Sequence, residues 1–267
     1  MRKGLVGLFV AAVLAFALAS AGPVMADNYA YEATNSEDFG IIDLNTGVYT
    51  QIGHMGQLLR GLGVANGVIY GGVDLGNTLY SVNPTSGALT AVGSGSMSYA
   101  DTGSTLTGLY ALDTAGYSGG KANLWSINPL TGAATLIGST GLTYTGSSAI
   151  GLSTNSSTLY FANGAALYTL NTTTGAATLV GFTGTSGLAA LVTEGGTLYG
   201  AANVPVFLVF TVNPTTGLAT FVTTESLAPS TFSGLAPLPT PVPIPGAVLI
   251  LGPGLAGLAA MRRRFKK

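Results

Sequence analysis

Short apolar runs alternate with small polar breaks along most of this chain. The runs are rich in Val, Ile, Leu, Thr and Tyr, which fit a pleated, half-buried surface and so predict strands. The breaks are Asn-Pro, Thr-Gly and Ser-Gly steps, which predict turns. One run–break–run pattern recurs five times: "FGIIDLNTGVYTQIG" (39–53), "LYSVNPTSGALTAVG" (79–93), "LWSINPLTGAATLIG" (124–138), "LYTLNTTTGAATLVG" (167–181) and "VFTVNPTTGLATFVT" (209–223). The aligned glycines Gly47, Gly87, Gly132, Gly175 and Gly217 are spaced by 40, 45, 43 and 42 residues. A threonine follows each glycine by three residues, and Val or Ile follows it by five.

Each unit reads as a β-hairpin. Asn83, Asn128 and Asn213 can close an Asx-turn, with the next proline presetting φ. Asp43 stands in the asparagine column and predicts a turn cap. The glycine supplies the left-handed conformation that lets the second strand leave in register. A "LY"-type strand precedes each hairpin: "YAYEA" (29–33), "GVIYGG" (67–72), "GLYALD" (108–113), "STLYFA" (157–162) and "GTLYGA" (196–201). Before it lies a strand of small residues: "RGLGV" (60–64), "MSYAD" (97–101), "AIGLS" (149–153) and "SGLAAL" (186–191).

Four antiparallel strands in about 42 residues make a β-propeller blade. The first unit lacks a small-residue strand of its own, and "SGLAPL" (233–238) is an orphan strand at the far end. The prediction is an all-β, five-bladed propeller over 27–238, its first blade closed by a C-terminal strand, with six blades, a β-sandwich or an open solenoid as the competing readings. The region offers no natural place for a helix.

Two ends stand apart from this pattern. Arg2 and Lys3 precede an apolar run, Leu5–Leu18, and Val24-Met25-Ala26 before Asp27 fits signal-peptidase cleavage. Residues 1–26 are therefore expected to be a signal helix, with the cut between Ala26 and Asp27. At the other end, 239–245 is a Pro-rich hinge and 246–261 an uncharged apolar segment expected to form a membrane helix. Arg262, Arg263, Arg264, Lys266 and Lys267 (262–267) would hold its end in the cytoplasm.

Charge sharpens the picture. Between Asp27 and Thr240 the only basic residues are Arg60 and Lys121, against ten carboxylates, a balance of 2 − 10 = −8. Such a domain offers no footprint for nucleic acid. The chain has no cysteine, which excludes disulfides and thiolate chemistry.

Candidate chemistry is sparse. His54 is the single histidine, so no His-His metal site or histidine relay can be built. Glu32, Glu37 and Asp38 lie in "EATNSEDF", read as a loop, with Asp74, Asp101 and Asp113 at related positions in later blades. They show no calcium-loop spacing and read first as solvated, solubilising charges; converging on one face, they would instead suit calcium. "GPGLAG" (252–257) matches a dinucleotide fingerprint but lies in the apolar tail, where small residues of a membrane helix explain it. Tyr31, Tyr70, Tyr110, Tyr160 and Tyr199 recur in register, as inter-blade core or, where exposed, as a carbohydrate platform.

The hinge, "VPIPGA" (242–247), the glycine-rich apolar segment and the arginine cluster together resemble the PEP-CTERM sorting signal of Gram-negative bacteria. The resemblance covers the last 27 residues. It is closest to the Val-Pro-Leu-Pro variant, with Ile244 in place of leucine. It implies that Val242, Pro243, Ile244 and Pro245 are read by an exosortase at the inner membrane. It implies too that the helix is removed and the protein delivered to the cell surface or matrix, in the setting of exopolysaccharide and biofilm production.

The functional expectation is a non-enzymatic propeller without a cofactor that binds carbohydrate or another envelope component. The alternatives are a calcium-dependent hydrolase or lyase, and a structural envelope protein without a ligand.

Overall fold

The computed structural model describes residues 28–145, 150–185, 187–203, 207–226 and 231–238. The signal segment, the sorting motif, the apolar tail segment and the basic cluster lie outside them. The chain divides into one unit ending at Pro237 and a second, Leu238–Lys267. Among the described residues no helix is long and apolar enough to cross a membrane.

The repeat folds into five four-stranded antiparallel sheets. Blade 1 holds β1 (Tyr29–Thr34), β2 (Asp38–Asp43) and β3 (Tyr49–His54), and blade 2 holds β4 (Leu59–Ala65), β5 (Val68–Val73), β6 (Thr78–Val82) and β7 (Leu89–Ser94). Blade 3 holds β8 (Tyr99–Ser104), β9 (Leu109–Asp113), β10 (Asn123–Ile127) and β11 (Ala134–Ser139). Blade 4 holds β12 (Ile150–Leu152), β13 (Leu159–Asn163), β14 (Ala166–Leu170) and β15 (Ala177–Phe182). Blade 5 holds β16 (Ala190–Glu194), β17 (Thr197–Ala202), β18 (Leu208–Val212) and β19 (Ala219–Thr224). The last strand, β20 (Phe232–Pro237), returns to blade 1 and pairs antiparallel with β1, Glu32 opposite Leu235. The ring is closed as the orphan strand predicts. The one helical element described is a 3-10 turn, Thr114–Ser118, between β9 and β10.

The turn chemistry holds in every blade. Asp43 Oδ1 accepts from Asn45 N at 2.9 Å, and Asn83, Asn128, Asn171 and Asn213 accept likewise two residues on. Gly47, Gly87, Gly132, Gly175 and Gly217 all have φ between 72° and 81°. The Val or Ile five residues beyond each glycine is the extra residue of a β-bulge, for Phe39 pairs with Gly53 while Gly40 pairs with Gln51. The same register shift recurs in the other four hairpins.

The bulge brings the outer strand of one blade against the turn of the next. A Cβ on Gly53 would strike the carbonyl of Ser86, and Gly93, Gly138 and Gly181 stand likewise against Thr131, Thr174 and Thr216. At the seam between blades 5 and 1 the residue in this column is threonine, and Thr223 Oγ1 donates to the Thr46 carbonyl at 3.0 Å.

The small-residue strands β4, β8, β12, β16 and β20 line the axis. Ser104 N donates to Ser153 O at 3.0 Å and Thr193 N to Thr154 O at 2.9 Å, linking neighbouring inner strands directly. The Thr154 hydroxyl reaches across the axis to the Leu62 carbonyl, so the centre is closed at this level. The glycines here have no room for a side chain. A Cβ on Gly61, which has φ 66°, would meet the Asp101 carboxylate and the Thr102 main chain, and one on Gly234 would meet Gly61.

This crowding yields a prediction with an internal control. Gly61→Ala combines a positive φ with a collision and lowers unfolding stability by about 3 kcal/mol. Gly67→Ala has φ 75° but open space around it and costs about 1 kcal/mol. Urea unfolding monitored by circular dichroism reads both; equal losses would contradict axial crowding.

Candidate functional site

Antiparallel order puts the β4–β5, β6–β7 and equivalent turns on one face of the ring and all remaining connections on the other. The turn face carries a cavity of about 650 Å3 among Asn66, Thr105, Leu106, Thr107, Pro129 and their neighbours. None of its described lining residues is charged or aromatic, so it has shape but little chemistry.

The loop face is richer. Arg60 opens β4, and its Nε donates to Asp74 Oδ1 at 2.7 Å just beyond β5. Leu75 follows at φ 54° and 63% exposed, a costly backbone for an apolar residue pointing to solvent. The nine-residue β9–β10 connection carries the 3-10 turn and presents Tyr117, half-buried, against Tyr144 with ring centroids 4.7 Å apart. Tyr144 Oη donates to the Asp113 carbonyl at 2.6 Å. Burial and the nearby Asp101 carboxylate push the Tyr117 hydroxyl up to about 12, with Arg60 pulling the other way. The hydroxyl therefore stays a donor at neutral pH. Lys121 lies exposed on the same connection, so both basic residues of the propeller stand on this face of blades 2 and 3.

Among the described residues the six carboxylates do not gather into one group. Asp113 caps the 3-10 turn at Ala115 N and also accepts from Asn123 N, Asn123 Nδ2 at 2.8 Å and Trp125 Nε1 at 3.0 Å. Asp101 is buried beside the axis, where Oδ1 accepts from Thr102 N and Oδ2 from Leu152 N, both at 2.7 Å. It staples blade 3 to blade 4. Asp38 accepts from Gln51 Nε2 at 2.8 Å and lies 3.2 Å from His54 Nδ1, whose Nε2 is 3.5 Å from Glu37. The His54 side chain is 60% exposed, at the end of β3 in blade 1. Among the described residues no group of three or more His, Cys, Asp or Glu could hold a metal ion.

Glu32 is corrected most sharply. "EATNSEDF" is not one loop: its first three residues finish β1 and its last two begin β2. Glu32 sits mid-strand, fully buried, opposite Gly40. The tyrosine column is core. Tyr31 stacks on Phe39 at 5.3 Å, Tyr70 and Tyr199 are buried, and Tyr110 and Tyr160 pack against the clusters of the next blades. Tyr117 and Tyr144 stand outside the repeat, where column reading gives no signal; the unusual length of the β9–β10 connection was the available clue.

No family model and no curated protein matches this chain. A chain in the solved structure of a nidogen/laminin complex is similar at 12% identity and a TM-score of 0.47, over 78% of this chain and 97% of that one. The five-bladed ring stands on its own strand pairing, to which a likeness at that level adds nothing.

Buried acids set the response to pH. Burial pushes the Asp101 carboxyl up to about 8, although its two main-chain donors and Arg60 pull it down. Burial likewise raises Glu225 to about 7 and Glu32 well above its ordinary value. The fold holds these groups neutral, whereas the unfolded chain ionises them near 3.8 and 4.5. The stability these groups contribute is thus full below about pH 4 and is lost as pH rises through about 7 and 8. In metal-free buffer the melting temperature should drop steadily from pH 5 to pH 8; a flat or rising profile would refute this.

Proposed function

We propose that this chain is an exported surface or matrix protein whose propeller binds carbohydrate without catalysis, through the loop face of blades 2 and 3. The observation that carries this reading is the half-buried Tyr117–Tyr144 pair beside the Arg60–Asp74 ion pair. An aromatic face takes the apolar side of a sugar ring, and a fixed guanidinium–carboxylate pair offers donors and acceptors to its hydroxyls. Exposed Leu75, held at positive φ, extends the contact. The non-catalytic reading is supported by the engagement of nearby acids: Asp74 is ion-paired, and Asp101 and Asp113 accept internal hydrogen bonds. General acid–base work needs a group free to meet substrate.

The sorting proposal rests on the sequence. Signal peptidase would cut between Ala26 and Asp27. An exosortase would read Val242, Pro243, Ile244 and Pro245 while the apolar tail holds the chain at the inner membrane with its basic cluster inside. The propeller would then pass to the surface or matrix, among exopolysaccharide.

Two measurements test this. On a glycan array the full chain should bind a defined set of glycans, and Tyr117→Ala or Arg60→Ala should weaken that binding roughly tenfold or more with the fold intact. Binding by neither the native chain nor any variant would leave the structural envelope role. Intact mass spectrometry of protein from the native host should give a product starting at Asp27 and ending near Pro243; retention through Lys267 would refute sorting.

A further inference from the structure

The seam between blades 5 and 1 departs from the repeat at several points that meet in space. Where blade 1 has Glu32, the other blades have Gly71, Ala111, Phe161 and Gly200. Where it has Gly40, they have the aromatics Tyr80, Trp125, Tyr168 and Phe210. Where it has Tyr49, they have Leu89, Ala134, Ala177 and Ala219. Glu225, just past β19, stands where the others have Met55, Gly95, Thr140 and Thr183. The main chain is the same at this last column: Glu225 N donates to Phe207 O, as Thr140 N does to Ala122 O and Thr183 N to Ala165 O. Only the side chains differ, so the fold does not require them.

The four departures are coordinated. Loss of the aromatic at Gly40 leaves room for the Tyr49 ring, whose Cζ lies 2.5 Å from where a Gly40 Cβ would stand. Gly40 pairs directly with Glu32 on the adjacent strand, so the phenol passes over the glycine toward the carboxylate. From the other side Ser226 N donates to Gly47 O at 2.9 Å, clamping the Glu225 segment onto blade 1. Glu32 is 0% exposed, Glu225 7% and Tyr49 8%. Both Glu32 oxygens, Glu225 Oε2 and Tyr49 Oη have no hydrogen-bond partner among the described residues. Buried polar atoms in native folds are otherwise partnered almost without exception.

Among the described residues no cation faces them. Arg60 is held by Asp74 in blade 2, Lys121 lies in blade 3, and His54 pairs outward with Glu37 and Asp38. Asp38, the remaining acid near Tyr49, accepts from Gln51. Glu32 pairs with Gly40 on one side and Leu235 on the other, and Tyr49 belongs to the apolar seam cluster with Ala30, Ile42, Val209 and Leu235.

We infer that this seam is a binding site for a divalent cation, held by the carboxylates of Glu32 and Glu225 with the Tyr49 hydroxyl as a neutral oxygen donor. Oxygen-only donors select a hard ion such as Ca2+, with water completing its shell. Two carboxylates balance a double charge, whereas a monovalent ion would leave one buried charge uncompensated. Because the ligands come from the first and last blades, the ion locks the ring shut.

The test uses the full chain at pH 8, with Ca2+ as the probe. At about 100 times its dissociation constant, Ca2+ should raise the melting temperature by roughly 5–10 °C. Glu32→Gln and Glu225→Gln keep the shape, remove the charge and should abolish that shift. As a second readout, Tb3+ bound to the native chain should emit when tyrosine is excited, be displaced by Ca2+, and lose most of that emission in Tyr49→Phe. An unchanged melting temperature in Ca2+, meaning the seam holds only protons, would overturn the proposal. So would an equal shift in the native chain and both glutamine variants, or undiminished Tb3+ emission from Tyr49→Phe.

Discussion

The structure depends on one close approach, repeated around the ring: a glycine of one blade seated on the main chain of the next. At the rim, Gly53, Gly93, Gly138 and Gly181 meet carbonyls in the neighbouring turns. At the axis, Gly61, Gly103, Gly151 and Gly234 meet the neighbouring inner strands. Backbone against backbone at this distance leaves no room for a Cβ, and it sets how far each blade can stand from the next. That spacing fixes how many blades complete a turn. It also closes the centre, so a ligand meets a face of this propeller and not a channel.

Much of this was legible in the sequence because the constraint repeats. A glycine at positive φ, an Asx cap and a bulged Val or Ile leave the same trace five times. Closure was legible because blade 1 lacks an inner strand and the far end has one to spare. The acids were misplaced for the opposite reason. "EATNSEDF" looks like a polar loop when read along the chain, and Glu32 belongs to a core strand. Read down the repeat columns, Glu32, Gly40, Tyr49 and Glu225 stand out together. Along the chain they are scattered over almost two hundred residues, and each alone looks like tolerated variation. Tyr117 and Tyr144 lie in connections, where no period constrains the residues.

The two ends of the ring's chemistry are therefore different in kind. The loop face of blades 2 and 3 collects its aromatic pair from connections, Tyr117 from β9–β10 and Tyr144 from β11–β12, which leaves the blades themselves unaltered. The seam collects its groups by replacing core residues inside regular blades. Asp101 lies between these cases. It sits on a regular inner strand, yet its carboxylate does the work of a main-chain acceptor, joining blade 3 to blade 4 beside the axis.

The pairing of β1 with β20 also orders events in time. The first strand made must wait for the last before its sheet has an inner edge. Until then the nascent chain carries open sheet edges at both ends, the kind of surface that recruits other strands. Folding to completion is a property of the whole repeat array, so a ribosome or a protease handling the chain midway meets an unfinished arc with nothing yet to hold its ends together.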